Sequence, residues 1–163
     1  MSVVPRVARR VRLLLGLSLA SALGAAGCGL TGPSGPLDRE RERLAQARAH
    51  WRGLGFTDYQ YTFRRNCFCG PDVRDPVRIV VRQGNIVSIE RLTAGPPPDP
   101  QFYYTVEGLF DLLADAIEND AHQLQADYDS AFGYPVSAFI DYNAQLADEE
   151  QGFEASALQP LRR

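Results

Sequence analysis

Val77, Ile79 and Val81 alternate with Arg78, Val80 and Arg82, Gly84-Asn85 follows, and Ile86 to Leu92 resumes an apolar run. Alternation with period two puts one set of side chains on each face of a strand, and a Gly-Asn pair between two such runs favours a tight reversal. A β-hairpin over these residues constrains the fold more than any other segment, because an isolated hairpin is marginal in water and needs further strands or a helix to cover its apolar face. Those neighbours are legible. Tyr59, Tyr61 and Phe63 alternate with Gln60, Thr62 and Arg64, which predicts a strand ahead of the hairpin. Leu124, Ala126 and Tyr128 alternate with Gln125 and Asp127, and Val136, Ala138, Ile140 and Tyr142 with Ser137 and Asp141, giving two strands around a turn at Phe132-Gly133-Tyr134-Pro135. A last, weaker strand is expected from Phe153 to Leu158.

Two segments follow the helical period instead. Arg39 to Trp51 has Leu37, Leu44, Ala47 and Trp51 near one face, with Asp38 as the expected N-cap and an end before Gly53 or Gly55. Val106, Leu109, Phe110, Leu113 and Ile117 recur at intervals of three and four, opposite Glu107, Asp111, Asp115 and Glu118, and Thr105 precedes them as N-cap. Between hairpin and helix, Gly95-Pro96-Pro97-Pro98-Asp99-Pro100 reads as an extended surface connector. The order predicts one α+β domain over residues 38–163, with a largely antiparallel sheet of five to six strands and both helices packed on one face.

Residues 1–27 have another character. Arg6, Arg9, Arg10 and Arg12 precede Leu13 to Ala26, which is almost wholly apolar, and Gly27-Cys28 closes the segment. A basic flank, a short apolar stretch and small residues form an export signal, and the apolar part is shorter than the ~20 residues a membrane-crossing helix needs. Leu23-Gly24-Ala25-Ala26-Gly27-Cys28 resembles the bacterial lipobox, with Ala25 where that pattern usually has leucine. The resemblance implies diacylglycerol on the Cys28 sulfur and a fatty acyl chain such as palmitate on the new N-terminus, a stable anchor to a membrane surface. The alternative is an ordinary secretory signal with Cys28 a bystander. Residues 28–37, with Gly29, Gly32, Pro33, Gly35 and Pro36, read as a flexible tether. Gly29, with no Asp at that place, resembles outer-membrane sorting in Gram-negative envelopes. With four of the 17 basic residues removed and all 20 acidic ones kept, the remainder has a formal net charge of −7 and no basic cluster, which disfavours nucleic acid as a partner.

Trp51, Tyr59-x-Tyr61, Cys67-x-Cys69, the Gly84 turn, Thr105-Val106-Glu107-Gly108-Leu109-Phe110-Asp111, Tyr128-Asp129, Gly133-Tyr134-Pro135, Ile140-Asp141 and Asp148-Glu149 occur in this order. Together they resemble a domain-of-unknown-function family of bacterial secreted and lipid-anchored proteins over roughly Ala45 to Leu158. The resemblance implies an extracytoplasmic setting and brings no activity with it.

Cys67-Phe68-Cys69 leads the chemistry-bearing candidates, because Cys28 is assigned to lipid and exported thiols meet oxidising conditions. Residues two apart on a regular strand lie about 6.6 Å apart, near the upper edge of the ~4.4–6.8 Å Cα window for a disulfide, so a bridge requires the chain to bend. A bridge between Cys67 and Cys69 is expected, with two free thiols and a redox-active or soft-metal pair as the alternatives. Asp127, Asp129, Asp141, Asp148, Glu149 and Glu150 supply hard oxygen atoms for calcium, without the ligand spacing of an EF-hand; solvated turns and strand faces are the favoured explanation of them. His50 and His122 both fall at helix ends, and Tyr103-Tyr104 with Tyr59-x-Tyr61 offers either a ligand platform or core packing. No cofactor and no catalytic residue is assigned. The expected function is that of a lipid-anchored extracytoplasmic binding or structural module of the bacterial envelope, touching the membrane through Cys28 and an envelope protein through its domain. A thiol-disulfide or metal-handling protein using Cys67 and Cys69 is the rival, and a small periplasmic hydrolase the third reading.

Overall fold

The computed structural model describes residues 35–146 and 148–162. Cys28, the export segment and most of the expected tether lie outside them. Helical and alternating segments build an α+β domain in this order: α1 (Pro36–Leu54), β1 (Tyr59–Cys67), a single-turn α2 (Pro71–Arg74), β2 (Val77–Arg82), β3 (Asn85–Arg91), α3 (Val106–Glu118), β4 (Gln123–Tyr128), β5 (Pro135–Asp141) and β6 (Gln151–Pro160). The six strands form one sheet in the order β3-β2-β1-β6-β5-β4, and every neighbouring pair is antiparallel.

One face of this sheet is buried. Tyr59, Tyr61 and Phe63 of β1, Val77, Ile79 and Val81 of β2, Ile140 of β5 and Phe153 of β6 meet Leu44 and Trp51 of α1 and Val106, Leu109, Phe110, Leu113 and Ile117 of α3. Most apolar positions read from the sequence are core positions, while Leu37, Ala47, Tyr128, Val136 and Tyr142 are partly buried and pack against the core. The opposite positions Arg64, Arg78 and Glu154 are exposed, and Arg64 and Glu154 pair across β1 and β6 at 2.6 Å.

Several expectations shift. The first helix begins at Pro36, not after Asp38, because Gly35 takes the extended N-cap conformation and proline's fixed φ suits the first helical turn. Asp38 instead lies inside that turn and pairs with Arg41 at 2.7 Å. The hairpin turn consists of Gln83 and Gly84, both at positive φ (51° and 74°), with Asn85 already paired to Arg82. Two positive φ angles match the twist of the flanking strands, and the Asn85 side chain donates to the Gln83 carbonyl at 3.0 Å. A short α2 occupies what reads in sequence as loop, begun by Pro71.

The largest difference concerns β6. The strand expected to be weakest is the longest, ten residues, and sits between β1 and β5. Its alternation is broken because Ala157 adopts a left-handed conformation (φ 53°) where the register with β1 shifts between Gln60 and Thr62. That bulge puts both Ala155 and Leu158 on the buried face, three residues apart. At the other end of β6, a Cβ on Gly152 would stand 2.2 Å from the Ala138 carbonyl oxygen, so only glycine admits the close approach of β5.

Two substitutions test this account by urea unfolding. Gly152→Ala is expected to lower stability by roughly 1–3 kcal/mol or more, since β5 must move to admit a methyl group. Ala157→Gly is expected to raise it by up to about 1 kcal/mol, because the left-handed penalty for an L-residue, ~1–2 kcal/mol, exceeds the added chain entropy of glycine, ~0.5–1 kcal/mol. A lower midpoint for Ala157→Gly would refute the bulge assignment.

Candidate functional site

Two polar centres stand out, and they differ in kind. The first lies where α1, β1 and the start of α3 meet. Thr105 caps α3 by accepting the Gly108 N–H at 3.1 Å, which places Glu107 in the first turn, where the helix dipole favours a carboxylate. One oxygen of Glu107 accepts the Trp51 Nε1–H at 3.0 Å and the other accepts the Tyr59 hydroxyl at 2.7 Å, while Tyr59 Oη itself accepts the Val106 N–H at 2.9 Å. The Tyr61 hydroxyl donates to the Tyr104 carbonyl. Burial, reinforced by the negative charge of Glu107, raises the pKa of Tyr59 and of Tyr61 far above the usual phenol range. Every polar atom named here is spoken for within the protein. This is a lock between elements: Glu107 is exposed, but both of its oxygens are taken up by the buried Trp51 and Tyr59.

A similar lock holds the start of α1. Glu40 is 5% exposed; it accepts the Tyr128 hydroxyl at 2.7 Å and pairs with Arg43 at 2.7 Å, and the Arg43 guanidinium lies 5.4 Å from the centre of the Tyr128 ring. The sequence gives little sign of it, since Glu40 sits in a run of Arg and Glu that looks uniformly solvated.

The second centre is the Cys67-Phe68-Cys69 tip. β1 ends at Cys67, the chain bends, and Gly70 starts α2, so the Cα atoms of Cys67 and Cys69 come to 5.3 Å at disulfide distance. The bend supplies what a straight strand lacks. Both cysteines are partly exposed, and Phe68 between them is 82% exposed. A cleft of about 360 Å³ beside the pair is lined by Gly70 and Arg74, and another of about 320 Å³ brings Arg65, Phe102, Glu149 and Glu150 to the same two cysteines. Arg65 lies 6.0 Å from the centre of the Phe102 ring, and one carboxylate oxygen of Glu149 is buried without a hydrogen-bond partner. Arg65, two residues before Cys67, is a neighbour by sequence, whereas Phe102 is not: 35 residues separate it from Cys67, and only the tertiary fold closes that gap.

The remaining candidates separate. Asp127 accepts the Ser137 hydroxyl at 3.0 Å, Asp129 accepts the Ala131 and Phe132 N–H groups at 2.9 and 2.7 Å, and Asp141 accepts the Asn143 N–H at 2.8 Å. They are turn-forming and strand-face residues, and among the described residues no three His, Cys, Asp or Glu side chains gather as a metal site. Tyr59, Tyr61 and Tyr103 are core residues that meet Trp51 and Phe63 edge-on at 5.2–6.5 Å between ring centres, and so form no exposed platform. His50 packs against the Gly133 turn, where a Cβ would come 2.9 Å from the Ala47 carbonyl oxygen, and a positive φ of 78° further suits glycine. The largest cleft among those described, about 640 Å³, lies by the hairpin between Thr57, Asp58, Arg82 and Gln83; a hydrogen bond from Thr57 holds the Asp58 carboxyl below its usual pKa.

The model of a family of unknown function, DUF6174, matches residues 43–160. The chain belongs to that family. The match runs from the middle of α1 to the last residue of β6, so the DUF6174 region contains the complete sheet, α3 and the Cys67–Cys69 tip. No curated protein and no solved structure matches the chain.

The Glu107 lock predicts an alkaline limb. A tyrosine whose folded pKa is raised contributes stability that is fully present below the ordinary phenol value of about 10 and is lost as the pH climbs from there toward the folded value. Stability measured by urea unfolding is therefore expected to fall above about pH 10 by ~1.4 kcal/mol per pH unit for each of Tyr59 and Tyr61. Tyr59→Phe is expected to cost roughly 1–3 kcal/mol at neutral pH, by leaving the Val106 N–H and a Glu107 oxygen unpaired, and to make the alkaline limb shallower. An unchanged limb in that variant would place the titration elsewhere.

Proposed function

We propose that this chain is a lipid-anchored, extracytoplasmic module of the bacterial cell envelope that acts by contact with a partner. The observation that carries the proposal is the basic and apolar segment closed by Gly27-Cys28, followed within eight residues by the start of α1. Cys28 is the lipidation site, residues 1–27 the cleaved signal, and the outer membrane is the favoured address in a Gram-negative cell. The Cys67–Cys69 pair at disulfide distance supports the compartment, since such pairs persist outside the reducing cytoplasm.

Strand register supports the mode of action. Through Glu40, the first turns of α1 meet Tyr128, the last residue of β4, which pairs with Pro135. Cys67 pairs with Gln151, Gln151 with Ile140, and Ile140 with Leu124 near the first residue of β4. The exposed Phe68 tip thus stands at the sheet end opposite the one where α1 begins. An anchor that precedes α1 leaves that tip free to face away from the membrane.

Detergent-phase partitioning of the full chain is the test. Cys28→Ser is expected to move the protein from the detergent phase to the aqueous phase and to abolish labelling by radioactive palmitate, with an unchanged urea midpoint. Wild-type partitioning of the serine variant would defeat the proposal.

A further inference from the structure

The Cys67–Cys69 pair is poorly placed to hold the fold together. A disulfide stabilises mainly by closing a loop in the unfolded chain, and the gain shrinks with the loop; closing across a single intervening residue restricts little. The pair also joins no two elements, since Cys67 ends β1 and Cys69 immediately precedes Gly70, the N-cap of α2. The nearest core residues of the sheet, Phe63, Val77 and Phe153, are buried by strand pairing and aromatic packing and do not depend on it.

Its surroundings suit exchange. Both cysteines open onto clefts, so an incoming sulfur has access. Arg74 lines the first cleft, with no carboxylate among its described lining residues, and a guanidinium near a departing thiolate favours its release. In the second cleft Arg65 shares the lining with Asp148, Glu149 and Glu150. Phe68, 82% exposed between the two sulfurs, and Phe102 beside Arg65 offer apolar contact to the residues flanking a substrate cysteine in an extended polypeptide.

The geometry points to a redox-active disulfide at Cys67–Cys69 that oxidises paired thiols in unfolded or extended polypeptides. A substrate thiolate attacks one sulfur of the pair; the Cys67–Cys69 bond breaks, a mixed disulfide forms, and the other cysteine leaves as a thiolate. The second substrate thiolate then attacks the substrate sulfur of the mixed disulfide, which forms the substrate disulfide and expels the second cysteine. Two electrons pass from substrate to protein. The two protons released by the substrate thiols end on Cys67 and Cys69, and a small-molecule disulfide such as oxidised glutathione returns the pair to its starting state by the same exchange. The inference rests on the extracytoplasmic reading, because a cytoplasmic thiol buffer would hold the pair reduced.

The test uses the full-length chain in detergent, its pair oxidised to completion beforehand, and a reduced two-cysteine model peptide as probe in anaerobic buffer with chelator. Intact mass after alkylation is expected to show the peptide losing two thiols as the protein gains two, in equal amounts. The initial rate is expected to exceed that of oxidised glutathione at the same concentration by at least about ten-fold, given access and a stabilised leaving group. Cys67→Ser with Cys69→Ser abolishes the transfer, and its unchanged urea midpoint separates lost exchange from lost fold. Phe68→Ser is expected to slow reaction with the peptide and spare reaction with dithiothreitol. A pair still bonded when glutathione has already oxidised the peptide would overturn the inference. Because the pair is oxidised in vitro, that result is independent of where the protein resides, which the Cys28→Ser partitioning judges separately.

Discussion

β6 lies between β1 and β5, and it alone makes one sheet out of two. Without it the chain has a three-stranded meander, β1-β2-β3, and a separate hairpin, β4-β5, with no hydrogen bonds between them. Each part is small for a stable unit, and each presents an apolar face that needs a neighbour. The junction requires close approach on both sides of β6. Gly152 allows the β5 backbone to come near, and Phe153 stacks on Phe63 of β1 at 5.9 Å between ring centres. Because β6 comes last in the chain, the sheet cannot close until nearly the whole domain is present.

The helices are fixed to this sheet by polar atoms as much as by apolar area. Glu107 gathers Trp51 from α1 and Tyr59 from β1, and Glu40 takes Tyr128 from β4. An unpaired buried donor costs about 1–3 kcal/mol, so each lock penalises any other seating of the helices. These carboxylates are the kind of residue that suggests chemistry in a sequence. Their partners inside the fold give them a structural role.

The tip at Cys67–Cys69 belongs to a different part of the design. It stands at a strand end, outside the core, next to an exposed phenylalanine, with Arg74 on one side and Arg65, Asp148, Glu149 and Glu150 on the other. Changes there act on the surface and leave the buried face intact. The DUF6174 region includes both the sheet and this tip.

The sequence by itself determined the fold class, the core face of β1, β2, β4 and β5, and the helix α3 with its Thr105 cap, because alternation, helical period and capping are local properties. It also singled out Cys67 and Cys69, since cysteines are few and their spacing is read directly. Tertiary structure decided what local pattern cannot encode. The bulge at Ala157 hid the longest strand by shifting its buried residues from a two-residue to a three-residue interval. Glu40 gave no signal because a buried carboxylate on a charged helix is defined by its partner Tyr128, 88 residues away. Phe102 reaches the sulfur pair only once the connector after β3 crosses back beside β1, and such long-range contacts are set by the packing of the whole sheet.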